Sequence, residues 1–152
     1  MSKHGTTARV AKKIADLLPP DTTQLVNIQY RKINPEEFGR VIIGTPIYAG
    51  NADKQIRQFC RRNRHKLEDV DVALFACGME PDFTLQQQEL FNAFPPDLFQ
   101  QARTKAFLGG EFLFDKMSFF EKLIIRKIKK VDTHENIHDI KDAEIEQFVR
   151  AL

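Results

Sequence analysis

The sequence predicts an α/β fold of three layers: a doubly wound parallel sheet with helices on both faces. Three observations carry this. Arg40–Thr45 (RVIIGT) and Val72–Cys77 (VALFAC) are short apolar, β-branched runs, the pattern of strands buried on both faces. Between such runs lie segments with a 3.6-residue apolar period. The two kinds of segment alternate along the chain, as parallel βαβ units require.

Each element follows from its pattern. Ala8–Leu18 sets Val10, Ala11, Ile14, Leu17 and Leu18 on one helical face, and Pro19-Pro20-Asp21 stops it. Leu25–Tyr30 alternates apolar and polar residues, as a half-buried strand does. Asn34-Pro35-Glu36-Glu37 is turn chemistry with room for a short helical turn. Asp53–Lys66 reads as a helix with Ile56, Phe59 and Cys60 inward. Thr84–Phe94 reads as a helix stopped by Pro95-Pro96. Lys105–Phe114 reads as a strand interrupted at Gly109-Gly110. Ser118–Val131 and Asp139–Leu152 read as two further helices. No internal repeat, linker or low-complexity segment divides residues 1–152, so a single domain is expected.

Composition narrows the function classes. The 152 residues are 42% hydrophobic and 29% charged, ordinary for a soluble globular chain. No run of 18 apolar residues suggests a membrane span, and no signal-peptide pattern opens the chain, so a cytoplasmic location is expected. Cys60 and Cys77 lack metal-ligand spacing and form no disulfide framework. The net charge of +2 demands no nucleic acid. Charge is uneven, however: Lys116–Lys130 carries six Lys/Arg against one Glu. Within it, Phe119–Lys130 is apolar on one side and basic on the other. Core packing is the plain reading of that stripe, and contact with anionic lipid the sharper one. His134 and His138 stand four apart but outside any expected helix, so no metal site is expected.

In doubly wound sheets, ligands bind beyond the carboxyl ends of the strands. Three loops leave such ends here. The first is Ser2-Lys3-His4-Gly5-Thr6-Thr7, leading into a helix. Backbone N–H groups, the hydroxyls of Thr6 and Thr7 and the positive helix end suit a phosphate monoester. A plain capped helix start fits the same residues, and His4 either reaches the phosphate or faces solvent. The second loop holds Thr45, Pro46, Ile47, Tyr48 and Gly50, with Tyr48 placed to stack on a planar ring or to pack as an ordinary loop residue. The third opens with Cys77, Gly78 and Met79, where a glycine lets the backbone approach a ligand edge. Cys77 reads first as a small core residue. One phosphate loop and two ring-flanking loops describe a flavin mononucleotide (FMN) site.

With these motifs in view, the chain resembles the flavodoxin-like superfamily. The residues that carry the resemblance are Ser2–Thr7 with its helix, Val41–Gly50 (VIIGTPIYAG), and Gly109-Gly110 before the basic helix. It looks most like the flavodoxin-domain branch that includes menaquinone-dependent protoporphyrinogen dehydrogenase. The resemblance implies a 2-1-3-4-5 strand order and FMN as cofactor. It also implies electron transfer from a reduced substrate through the flavin to a quinone or other acceptor. Two departures stand out. The first strand of that order is expected to be missing, because Met1 sits at the phosphate loop itself. A start assigned too late, or a strand supplied in trans by a second subunit, is the expected explanation. The third loop is shorter than in the dehydrogenase, which bears on porphyrin specificity. No nucleophile–base pair is found, consistent with chemistry carried by a cofactor. A small electron-shuttle flavodoxin serving a protein partner and a flavin-free interaction module are the alternative readings.

Overall fold

The computed structural model describes residues 5–112 and 136–152. Helix α1 (Thr6–Asp16) buries Val10 and Ile14. Strand β1 (Arg40–Tyr48) is followed by a two-residue return strand, β2 (Asn51–Ala52). Then come α2 (Lys54–Arg62), α3 (Arg64–Glu68), β3 (Asp71–Cys77), α4 (Phe83–Ala93), α5 (Pro96–Gln101) and β4 (Thr104–Phe107). Strands β5 (Gly109–Phe112) and β6 (Ile137–Ile140) precede the last helix, here α6 (Asp142–Arg150).

The main sheet has the order β2-β1-β3-β4. β1, β3 and β4 run parallel, with Ile42 opposite Ala73 and Phe75 opposite Ala106, while β2 returns antiparallel. Strand β3 is central and almost wholly buried, as a continuous apolar run should be. Its alternate residues feed two cores. Val72, Leu74 and Ala76 pack with Val41, Ile43, Ile56, Leu67, Leu90 and Leu98 under α2–α5. Ala73, Phe75 and Cys77 pack with Val10, Ile14, Ile145 and Phe148 under α1 and α6. The expected three-layer α/β architecture is therefore present, with a mixed rather than purely parallel sheet. At the amino end of the strands, Asp71 binds both Arg40 and Arg103 and ties β1, β3 and the approach to β4 together.

Several expectations are corrected. Leu25–Tyr30 is not a strand but an irregular segment ending in a turn, with Leu25 and Tyr30 exposed. Alternation marks a strand only when a neighbour completes its ladder, and no described residue pairs with this segment. Asp53–Lys66 is two helices, not one. Asn63 ends the first by donating from its side chain to the Phe59 carbonyl at 2.9 Å. Pro95-Pro96 stops α4 but also starts α5, because proline is well tolerated in a first helical turn. The expected Lys105–Phe114 strand divides between two sheets. Gly109 adopts φ +71, and a Cβ there would lie 1.8 Å from the Asp139 carbonyl oxygen, so only glycine allows the switch into the β5–β6 ladder. Asp139 and Ile140 accordingly belong to β6, and the last helix begins at Asp142 rather than Asp139. The helix expected over Ser118–Val131, with its Phe119–Lys130 face, lies outside the described residues, as do Ser2 and His4.

Candidate functional site at the carboxyl end of the sheet

Helix α1 starts at Gly5, which has φ +83 and supplies no side-chain cap. A helix start leaves its first N–H groups without helical acceptors. The first turn carries no acid, so nothing there neutralises the positive helix end. Thr6 and Thr7 are both buried. Among the described residues the Thr7 hydroxyl finds no hydrogen-bond acceptor or donor beyond its contact with the Cys77 thiol. Leaving such a group unmade costs about 1–3 kcal/mol.

The second loop is tighter than the sequence suggested. Ala49 and Gly50 both have positive φ, so Tyr48–Asn51 closes as a two-residue hairpin with Tyr48 opposite Asn51. Thr45 lies inside the fold. It is fully buried, and its hydroxyl accepts from the Asp53 N–H at 3.2 Å and donates to the Pro46 carbonyl at 3.2 Å. Asp53 in turn caps α2 by accepting from the N–H of Gln55 at 2.8 Å. Thr45 thus ties the hairpin to the start of α2. Pro46 and Ile47 are buried, while Tyr48 and Gly50 are exposed.

The third loop also departs from expectation. The Gly78 N–H is not available to a ligand edge, because it donates to the Gly109 carbonyl at 3.0 Å. Glycine is needed at 78 for packing: a Cβ would lie 2.8 Å from the Phe107 ring and 3.3 Å from Ile47. Met79 is half-buried beside Gly110. The loop is held by Gln86, which donates to the Glu80 carbonyl at 2.5 Å and accepts from Lys141 at 3.0 Å. Cys77 is buried, and burial pushes its thiol up to about 12, so it is no nucleophile at neutral pH.

The described parts of the three loops lie at one end of the sheet. Pro46 stands opposite Cys77 in the β1–β3 ladder, Gly78 abuts Ile47, and Thr7 touches Cys77. Sequence reasoning missed a polar cluster beside them. Glu111 on β5 is 7% exposed and accepts hydrogen bonds from Arg9 and Thr6, while His138 Nδ1 on β6 lies 2.7 Å from it. Burial alone would raise the Glu111 carboxyl, but the bonds from Arg9 and His138 outweigh it and hold the group below its ordinary value. A lone Glu after two glycines gives no sequence signal. Only the β5–β6 pairing of Glu111 with His138 brings the cluster together.

The sequence profile of the flavodoxin domain matches residues 1–139. The chain belongs to the flavodoxin domain family. No curated protein and no solved structure gave a match. Flavodoxin domains typically bind flavin, usually FMN, and take part in electron transfer. The residues of this flavodoxin domain fit a phosphate-bearing ligand on one independent observation: among the described residues, Thr7 is a buried hydroxyl lacking a hydrogen-bond partner at a helix start lacking a side-chain cap. Among the described residues no group of three or more side chains could hold a metal ion, and no helix is long and apolar enough to cross a membrane.

Proposed function

We propose that this flavodoxin domain binds FMN at the carboxyl end of its sheet and works as an oxidoreductase. Electrons would pass from a reduced organic substrate to a quinone or another acceptor. The observation that supports it most is the unpartnered Thr7 hydroxyl at the uncapped start of α1, beside two other strand-end loops. Thr6, Thr7 and the first N–H groups of α1 would hold the phosphate. Ser2 and His4 would complete that loop, and Tyr48 would flank the ring, with Met79 and the Gly78 backbone on its other side. The flavin supplies the redox chemistry when bound. The chain's residues orient it, and the glycine-packed floor at Gly78 and Phe107 excludes water from one edge.

The near-neutral charge of +2 favours an enzyme over a dedicated shuttle, which docks its partner through strong net charge. The resemblance to protoporphyrinogen dehydrogenase suggests an extended, reduced heterocycle as substrate and a quinone as acceptor. Contact of Phe119–Lys130 with anionic lipid would bring the site to a membrane-held acceptor.

The test is a fluorescence titration with FMN and with riboflavin. Replacing Thr6 and Thr7 by alanine together should weaken FMN by about 2–5 kcal/mol, since hydrogen bonds to charged groups contribute about 1.5–3 kcal/mol each. Riboflavin, lacking the phosphate, should hardly respond. Equal losses for both ligands would show that these threonines do not read a phosphate.

A further inference from the structure

Arg9 turns back over the start of its own helix. Its Nη2 donates to the Thr6 hydroxyl at 3.3 Å and to the Glu111 carboxylate. Its Nη1 lies beside Gly5, 3.5 Å from where a Cβ would stand on that residue. The guanidinium therefore covers the first turn of α1, and its side chain is partly exposed.

A cation is unfavourably placed there. The start of a helix carries partial positive charge, and cations are stabilised at the opposite end. The other two cations of α1 follow that rule: Lys12 pairs with Asp16 and Lys13 with Asp142, in the second half of the helix. Arg9 is held against the dipole by a carboxylate from a different sheet. The Glu111 side chain is 7% exposed, and His138 Nδ1 stands 2.7 Å from its other oxygen, so this carboxylate is fixed from two sides.

The result is positive charge gathered at one point, from the helix end and from Arg9. One carboxylate does not use up what a guanidinium offers. Its five N–H donors lie in one plane, so one edge can hold a carboxylate while another meets a phosphate. The same turn carries Thr7, whose buried hydroxyl has no hydrogen-bond partner among the described residues. Anions of more than one charge are the ligands that such an arrangement favours.

We infer that Arg9 is a ligand of the phosphate at the start of α1, and that Glu111 is the positioning residue that holds its guanidinium there. The inference rests on the phosphate site of the proposed function and adds a charged residue to it. Arg9 lies inside the helix, beyond the Ser2–Thr7 loop. The ligand chemistry is a phosphate dianion, carried by FMN or free in solution.

Three ligands separate the outcomes: FMN, riboflavin and inorganic phosphate. Arg9→Gln should weaken FMN at least about tenfold, the loss of one charge-assisted hydrogen bond. It should also flatten the fall of FMN affinity with salt. Riboflavin affinity should not change. Inorganic phosphate, against chloride at equal ionic strength, should raise the unfolding temperature of the native chain but not of the variant. Arg9→Gln leaves the Glu111 charge without its cation, so a second variant combines Arg9→Gln with Glu111→Gln and removes both charges. It should show the same loss of FMN. Glu111→Gln alone should weaken FMN while Arg9 is present and have no such effect in the Arg9→Gln chain.

Unchanged FMN affinity in both Arg9 variants, or an equal loss of FMN and riboflavin, overturns the inference and leaves the FMN reading standing. Equal losses from Glu111→Gln in both backgrounds overturn the positioning role. Stabilisation by inorganic phosphate that depends on Arg9, in a chain that binds neither flavin, sinks the FMN reading and supports the inference. A native chain that responds to neither FMN nor phosphate overturns both.

Discussion

Glu111 on β5 accepts a hydrogen bond from Arg9 in α1, joining the small antiparallel sheet to the helix that opens the candidate phosphate loop. The two residues are 102 positions apart in sequence. Arg9 also donates to Thr6 at 3.3 Å, so the contact bears directly on the start of α1.

Acid should dissolve this link. The Glu111 carboxyl is held below its ordinary 4.5, so the folded pKa lies under the unfolded one. Its contribution to stability is complete above the unfolded pKa and is lost as pH falls through the folded pKa. At neutral pH, Glu111→Gln should cost about 1–2 kcal/mol, a charge-assisted bond discounted for the partial exposure of Arg9. The unfolding temperatures of the native chain and this variant should converge as pH falls below 4.5 and through the lowered pKa of the folded Glu111 carboxyl. A constant gap across the acid range would show that the carboxylate charge contributes nothing.

Thr7 separates stability from binding. Its hydroxyl is buried without a hydrogen-bond partner among the described residues, and valine keeps its shape. Thr7→Val should raise the stability of the ligand-free protein by about 1 kcal/mol, or ~2–4 °C in unfolding temperature. The same change should weaken FMN. A fall in stability would mean that the hydroxyl has a partner after all.

Gly78→Ala should destabilise by about 1–3 kcal/mol, the usual cost of overpacking. Its Cβ would press on the Phe107 ring at 2.8 Å. Phe107→Leu in the same chain should recover part of the loss, and a double-mutant cycle from urea unfolding measures the coupling. Strict additivity would place the strain elsewhere.

Neither thiol should react in the folded protein. Burial pushes Cys60 and Cys77 up to about 12; the Glu111 charge adds to the shift at Cys77, and Thr7 opposes it. At pH 8, labelling with an aromatic disulfide should follow global unfolding and rise with urea. Fast labelling of native protein, lost in Cys77→Ser, would show a reactive thiol at the site.

The apolar runs at Arg40–Thr45 and Val72–Cys77 located the parallel strands, because a strand buried on both faces has no polar position to blur its pattern. The period in Ala8–Leu18 located α1 for the corresponding reason. The three strand-end loops were legible as neighbours, since parallel strands put all their carboxyl ends on one side. Their local chemistry was not. Nothing in the residues around Thr45 showed that its hydroxyl would be taken up by Asp53 and Pro46, or that Gly78 would give its N–H to Gly109.

Sequence alone therefore determined the α/β class, the two buried parallel strands and the helices α1 and α4, because side-chain period and backbone propensity act within a few residues. Tertiary structure decided what depends on a distant partner. Leu25–Tyr30 carries a strand's pattern but is irregular, because ladder bonds need a neighbour that local sequence cannot supply. Asp139 and Ile140, expected in a helix, became a strand because Gly109 and Gly110 lie opposite them. Glu111, without any local signal, became the buried centre of a polar cluster because the same ladder carried it to His138 and to Arg9 of α1.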